Sequence, residues 1–132
     1  SRPARLLRER FPSGNLPIVL NDTRDEHVHW CHGAAGMPAL AAAAEAAAGA
    51  GGLDKEIAAA WRSAALQAGE VVWERGAILK GYGLCHGVAG NGYTFLSLFR
   101  LTGDVAHQQR ADAFRALLDY APLQEAISRQ PD

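Results

Sequence analysis

Two tripeptides hold the residues of this chain best suited to chemistry. Both cysteines of the 132-residue sequence sit in Cys-His-Gly, as Cys31-His32-Gly33 and Cys85-His86-Gly87, within the runs "HWCHGAAGM" and "GYGLCHGVAGNGYTFLSL". Thiolate and imidazole together suit zinc, which takes sulfur and nitrogen donors in a tetrahedral array. Neighbouring residues on a helix point about 100° apart. Cys85 and His86 therefore converge on one atom only where the backbone is irregular, and Gly81, Gly83 and Gly87 surround them. With Cys31 added from the other tripeptide, the donor set is two sulfurs and one nitrogen with a fourth position open. That is the pattern of catalytic rather than structural zinc. Two thiolates neutralise Zn²⁺, and a third from outside would leave the site negative. Lys80, five residues before Cys85, is placed to compensate that charge or to hold a substrate carboxylate. A thiol on zinc is deprotonated near neutral pH, so the open position suits a sulfur nucleophile.

Blander readings compete with this one. A buried cysteine usually fills core volume, although both cysteines sharing one tripeptide argues against packing alone. Cys31, His32, Cys85 and His86 together would make a closed structural site. The alternative role for His32 is beside the ligands or facing the substrate. His27 and His29 lie in a polar loop and are expected at the surface. Trp30, Asn91 and Tyr93 read by default as structural.

The elements that must position these groups are helices. No long apolar–polar alternation supports a strand. Residues 11–33 read as a loop punctuated by Pro12, Gly14, Asn15 and Pro17. Residues 35–49 read as a helix apolar nearly all round, interrupted by Glu45. Residues 53–75 read as amphipathic, with Leu53, Ile57, Trp61, Ala65, Ala68 and Val72 on one face and Lys55, Glu56, Arg62 and Glu70 away from it. Gly76 ends that helix, and residues 77–86 form a connector. Residues 88–101 form a second all-round apolar helix, stopped by Thr102-Gly103. Asp104 then caps an amphipathic helix over 105–119 that carries Val105, Phe114, Leu117 and Leu118. Alternation of all-apolar and amphipathic helices predicts inner helices wrapped by outer ones. Each inner helix follows a Cys-His-Gly, and the cysteines lie 54 positions apart (85 minus 31), a plausible helical-repeat period.

Bulk properties narrow the class. A net charge of −1 gives no basis for binding nucleic acid or an anionic membrane. Two cysteines are too few for a secreted disulfide scaffold, which favours a reducing, intracellular setting. The alanine-rich run 38–52 is too short, and carries too much glycine and charge, to span a bilayer. The chain opens without methionine on the basic segment "SRPARLLRER", which reads as the tail of a helix, and closes on "ISRQPD". The expectation is a partial domain covering residues 1–132, inactive by itself.

"HVHWCHGAAG" and "ILKGYGLCHGVAGNGYTFLSLFR" resemble the two zinc motifs of the eukaryotic lanthionine synthetase C-like (LanC-like) proteins, relatives of the bacterial lantibiotic cyclases. The resemblance covers residues 5 to 130. It implies an all-α fold, the C-terminal arc of an α/α toroid built from an inner and an outer ring of helices. It implies zinc on Cys31, Cys85 and His86, with Lys80 on the side of a glutathione substrate. It implies transfer of the glutathione thiol to dehydroalanine or dehydrobutyrine residues of a protein or peptide. It further implies a cytoplasmic protein that, like some relatives, associates peripherally with the plasma membrane. The family's acid/base residues and its terminal arginine-proline segment have no counterpart here. Two other functions fit the same residues: a glutathione-binding regulatory module without turnover, and a metal-free helical toroid working through paired carboxylates. Glu45 as the only interior acid disfavours the last.

Overall fold

The computed structural model describes residue 5, residue 9, residues 11–19 and residues 21–130. Among these the chain is all-α, with no strand. A single 3-10 turn, Ala34–Gly36, leads into α1 (Met37–Gly49). It is followed by α2 (Lys55–Arg75), α3 (Val88–Thr102), α4 (Val105–Leu117) and α5 (Ala121–Ser128). The boundaries follow local chemistry. The Asp54 carboxylate accepts from the Glu56 amide at 2.7 Å at the start of α2, and Asp104 accepts from Ala106 at 2.9 Å at the start of α4. Pro38 sits in the first turn of α1, where a missing amide hydrogen costs nothing.

Helix α1 packs along α2 and α3 along α4, while α3 also meets α1 and α2. Alanines at the α1–α2 seam (Ala41, Ala65 and Ala68, all buried) let those two helices approach closely. The α2–α3–α4 junction is filled by Val72, Phe95, Leu98 and Phe114. The rings of Phe95 and Phe114 lie 5.2 Å apart, and Trp73 meets Phe95 edge-on at 6.0 Å. The Arg110 guanidinium stacks 5.0 Å over Trp73 and forms a two-pronged pair with Glu70, at 2.6 and 3.0 Å. This junction holds α3, the helix that follows the second tripeptide.

One expectation of a partial domain holds and others change. Helices α1 and α3, apolar nearly all round, lack packing partners on part of their surface, as expected, and expose apolar side chains. Leu40 is 48% exposed and Tyr93 55%, because within this chain each helix has neighbours on part of its surface only. Val105 is 58% exposed at the first position of α4, before that helix reaches the core. Arg62 does not point away from its neighbours but reaches Glu45 of α1 at 2.7 Å, so the acid expected as interior is paired. Helix α5 was not foreseen. It starts at Ala121-Pro122, buries Leu123 and packs Ile127 partly against the core, and its eight residues are too few for the pattern to register in the sequence. Within the expected N-terminal helix tail, Arg5 and Glu9 are helical and pair at 3.1 Å one turn apart; its other residues lie outside the described ones. No helix among the described residues is long and apolar enough to cross a membrane.

Candidate metal centre

Residues 11–33 run across the ends of α2 and α3 without regular structure. Buried Asn15 organises this strap. Its amide donates to the Asp25 carboxylate at 2.7 Å and to the His27 carbonyl at 2.9 Å, and its oxygen accepts from the Ala34 amide at 2.8 Å. Arg75, at the end of α2, donates to the Asp25 carboxylate (3.0 Å) and to its carbonyl (2.8 Å). Burial raises the cost of charge on Asp25. The hydrogen bonds from Ser13, Asn15 and Arg75 outweigh that cost and hold its carboxyl below the usual value.

Each tripeptide is the start of a turn into a helix. A Cβ at Gly36 would press on the Trp30 carbonyl, and one at Gly90 would collide with the Leu84 carbonyl. These are matching places, since Trp30 and Leu84 each precede a Cys-His-Gly and the glycines follow five residues after the cysteines. Before α3 the chain folds back so that the carbonyls of Gly81 and Gly83 accept from Val88 (3.0 Å) and Gly90 (3.3 Å), amides that a helix start leaves without partners. The two turns touch directly, the Cys31 amide donating to the Cys85 carbonyl at 3.2 Å.

Their side chains converge. One ligand atom from each of Cys31, Cys85 and His86 lies within 4.8 Å of the others, and all three residues are exposed. Ligands set tetrahedrally around one zinc stand roughly 3.5–4 Å apart, so the cluster is of the right size. The electrostatics also fit a cation. Burial and the neighbouring Cys85 thiol, through a hydrogen bond and through charge, push the Cys31 thiol above its usual value. Two thiolates side by side repel, and a dication reverses that penalty. His32 stands beside the group, its Nδ1 lying 3.2 Å from the Cys31 sulfur. The group of atoms that lie mutually close has three members, Cys31, Cys85 and His86.

The family model of the lanthionine synthetase C-like proteins matches residues 4–126 of the chain. The chain belongs to that family. Among LanC-like relatives, "Glutathione S-transferase LANCL1" of Danio rerio is 45% identical over 105 residues, covering 80% of this chain and 24% of that protein. "LanC-like protein GCL1" of Arabidopsis thaliana is 47% identical over 114 residues, covering 86% of this chain and 24% of that protein. The chain thus spans about a quarter of the length of these two relatives.

In this LanC-like chain the cluster lies at one open depression of about 400 Å³, lined by Ile18, His27, His29, Cys31, His32, Lys80, Cys85 and His86. Lys80 and His32 are both on its wall. A second, apolar depression of about 470 Å³, walled by Trp30, Leu84 and Tyr93, is also lined by Cys85. Sequence reasoning misplaced His29, which is only 8% exposed rather than on the surface. Its ring lies 5.0 Å from that of His27 and 5.9 Å from that of His86. Burial, followed by the charges of His27, Lys80, His86 and His32, lowers its pKa to about 4, so it is neutral at physiological pH. Nothing local in "DEHVHW" signals this burial; it arises where the strap meets residues 80–86, more than 50 positions along the chain.

Proposed function

We propose that this chain carries the metal centre of an enzyme that adds the thiol of glutathione to dehydroalanine or dehydrobutyrine residues in proteins or peptides. The observation that carries the reading is the convergence of Cys31, Cys85 and His86 beside Lys80. The name of the zebrafish relative, a glutathione S-transferase, supports the same thiol. Cys31, Cys85 and His86 would hold zinc, whose chemistry when bound is to keep a thiol ionised at neutral pH and to favour sulfur in its fourth position.

The chain's own groups have separate parts. The Lys80 ammonium would pair with a glutathione carboxylate at the wall of the depression. His32, its Nδ1 engaged with the Cys31 sulfur, would orient that ligand and present its ring edge to the substrate. Neutral, buried His29 packs near the His86 ring. In the reaction the glutathione sulfur forms a bond to the β-carbon of the dehydroamino acid. The π electrons move toward the carbonyl oxygen as an enolate. A proton delivered to the α-carbon completes the thioether.

The test is incubation of zinc, glutathione and a dehydroalanine peptide with a full-length LanC-like relative in which this chain replaces the matching quarter, since the chain by itself is expected to be inactive. The reading expects one glutathione per peptide by mass spectrometry, dependent on metal. Tight glutathione binding with no modified peptide would instead assign a regulatory module.

A further inference from the structure

Two buried polar side chains of α3 have no part in the reaction described above. Asn91 is completely buried, and its amide nitrogen donates to the Val28 carbonyl at 2.8 Å and the Gly76 carbonyl at 2.9 Å. Its oxygen has no hydrogen-bond partner among the described residues. Both neighbours of the nitrogen are carbonyl oxygens, which fixes the orientation of the amide and defines its task as donation alone. One turn further along, Thr94 is 1% exposed, and its hydroxyl donates to the Ala35 carbonyl at 2.9 Å. Val28 lies three residues before Cys31 and Ala35 four residues after it, while Asn91 and Thr94 both belong to the helix that follows Cys85-His86-Gly87.

We infer that Asn91 and Thr94 are positioning residues for the metal centre. They grip the backbone on either side of Cys31 and register it against the helix that follows Cys85 and His86. The inference rests on the metal-centre reading. Apolar side chains would fill the same volume but leave the strap free to slide along α3, and a shift of one helical turn is about 5.4 Å, more than the present spread of the ligand atoms. Buried, fully directed hydrogen bonds select a single register where apolar packing selects only proximity.

The experiment compares Asn91→Leu, Thr94→Val and Thr94→Ser in the purified protein. Cobalt(II) serves as the spectroscopic probe and zinc as the affinity probe, with folding checked by circular dichroism. Asn91→Leu and Thr94→Val are expected to stay helical, to bind zinc about 10- to 100-fold more weakly and to alter the cobalt–thiolate absorption. Thr94→Ser, which keeps the hydroxyl, should match the parent protein. Should Asn91→Leu fail to fold, the Thr94 pair carries the test. A second readout needs no metal: the equilibrium for closing a Cys31–Cys85 disulfide in a glutathione redox buffer with chelator present. It should become less favourable in Asn91→Leu and Thr94→Val and stay unchanged in Thr94→Ser. A parent protein that takes up no cobalt would remove the metal reading, with the disulfide equilibrium still judging the register. Folded Asn91→Leu and Thr94→Val proteins with parental zinc affinity, cobalt spectrum and disulfide equilibrium would overturn the inference.

Discussion

The two Cys-His-Gly turns are identical at five of six positions, Cys-His-Gly-Ala-Ala-Gly against Cys-His-Gly-Val-Ala-Gly, and share the same close approach of a carbonyl to the last glycine. They nevertheless deliver different chemistry. The second gives a sulfur and an imidazole to the cluster, whereas the first gives a sulfur and turns its imidazole onto that sulfur. The backbones diverge at the third residue. Gly33 sits at φ +121°, a region closed to residues with a Cβ, and a 3-10 turn precedes α1; Gly87 is extended at φ −146°, and α3 begins at once. A repeated motif thus specifies the turn, while the local backbone decides which donors the turn presents.

Substitutions can break this asymmetry, beginning with the largest effect. Cys85→Ala and Cys31→Ala should each abolish stoichiometric zinc in the purified protein by metal analysis, since two ligands do not hold the ion. If only one of them did so, the centre would belong to a single turn. His86→Ala should weaken zinc far more than His32→Ala, for which about 10- to 100-fold is the scale of a group acting through a ligand. Chelator competition giving the reverse order would exchange the roles of the two histidines. Gly90→Ala should destabilise the fold by about 1–3 kcal/mol or more in urea unfolding, and Gly36→Ala by less, because the Leu84 carbonyl lies nearer to its glycine than the Trp30 carbonyl does. Equal costs would mean that the two turns yield equally.

Smaller effects sharpen the contrast further. Lys80→Ala should raise the glutathione concentration needed for half-saturation while leaving zinc content unchanged; unaltered glutathione binding would take Lys80 out of the site. The first turn alone is tied down through Asp25, whose folded pKa lies below its unfolded value of 3.8. As pH falls, the unfolded chain takes up that proton first. The stabilisation from Asp25 is therefore complete well above 3.8 and is lost as pH drops through the lower, folded value. Asp25→Asn should flatten the dependence of the urea midpoint on pH in that acidic range, and an unchanged slope would place the acid sensitivity elsewhere.

Much of the scaffold was legible because it depends on local chemistry. Gly76 and Asp104 mark helix ends in the sequence as they do in the structure, and the face of α2 that carries Ala65, Ala68 and Val72 is the buried one. The cluster was legible for a different reason: only two cysteines exist, and their shared tripeptide leaves few pairings. What could not be read depends on contacts distant in sequence. Burial of His29, the grip of Asn15 on Asp25, His27 and Ala34, and the reach of Asn91 to Val28 all require knowing where the strap lies across α3. Helix α5 was missed because eight residues are too short a stretch for its apolar period to stand out.

The central claim is a three-ligand cation site with room for a sulfur from outside, and zinc-edge X-ray absorption tests it most directly. The account predicts two sulfurs at about 2.3 Å and one imidazole nitrogen at about 2.0–2.1 Å in the zinc-loaded protein, rising to three sulfurs when glutathione is added. A shell of two sulfurs and two histidine nitrogens that glutathione leaves unchanged would contradict it.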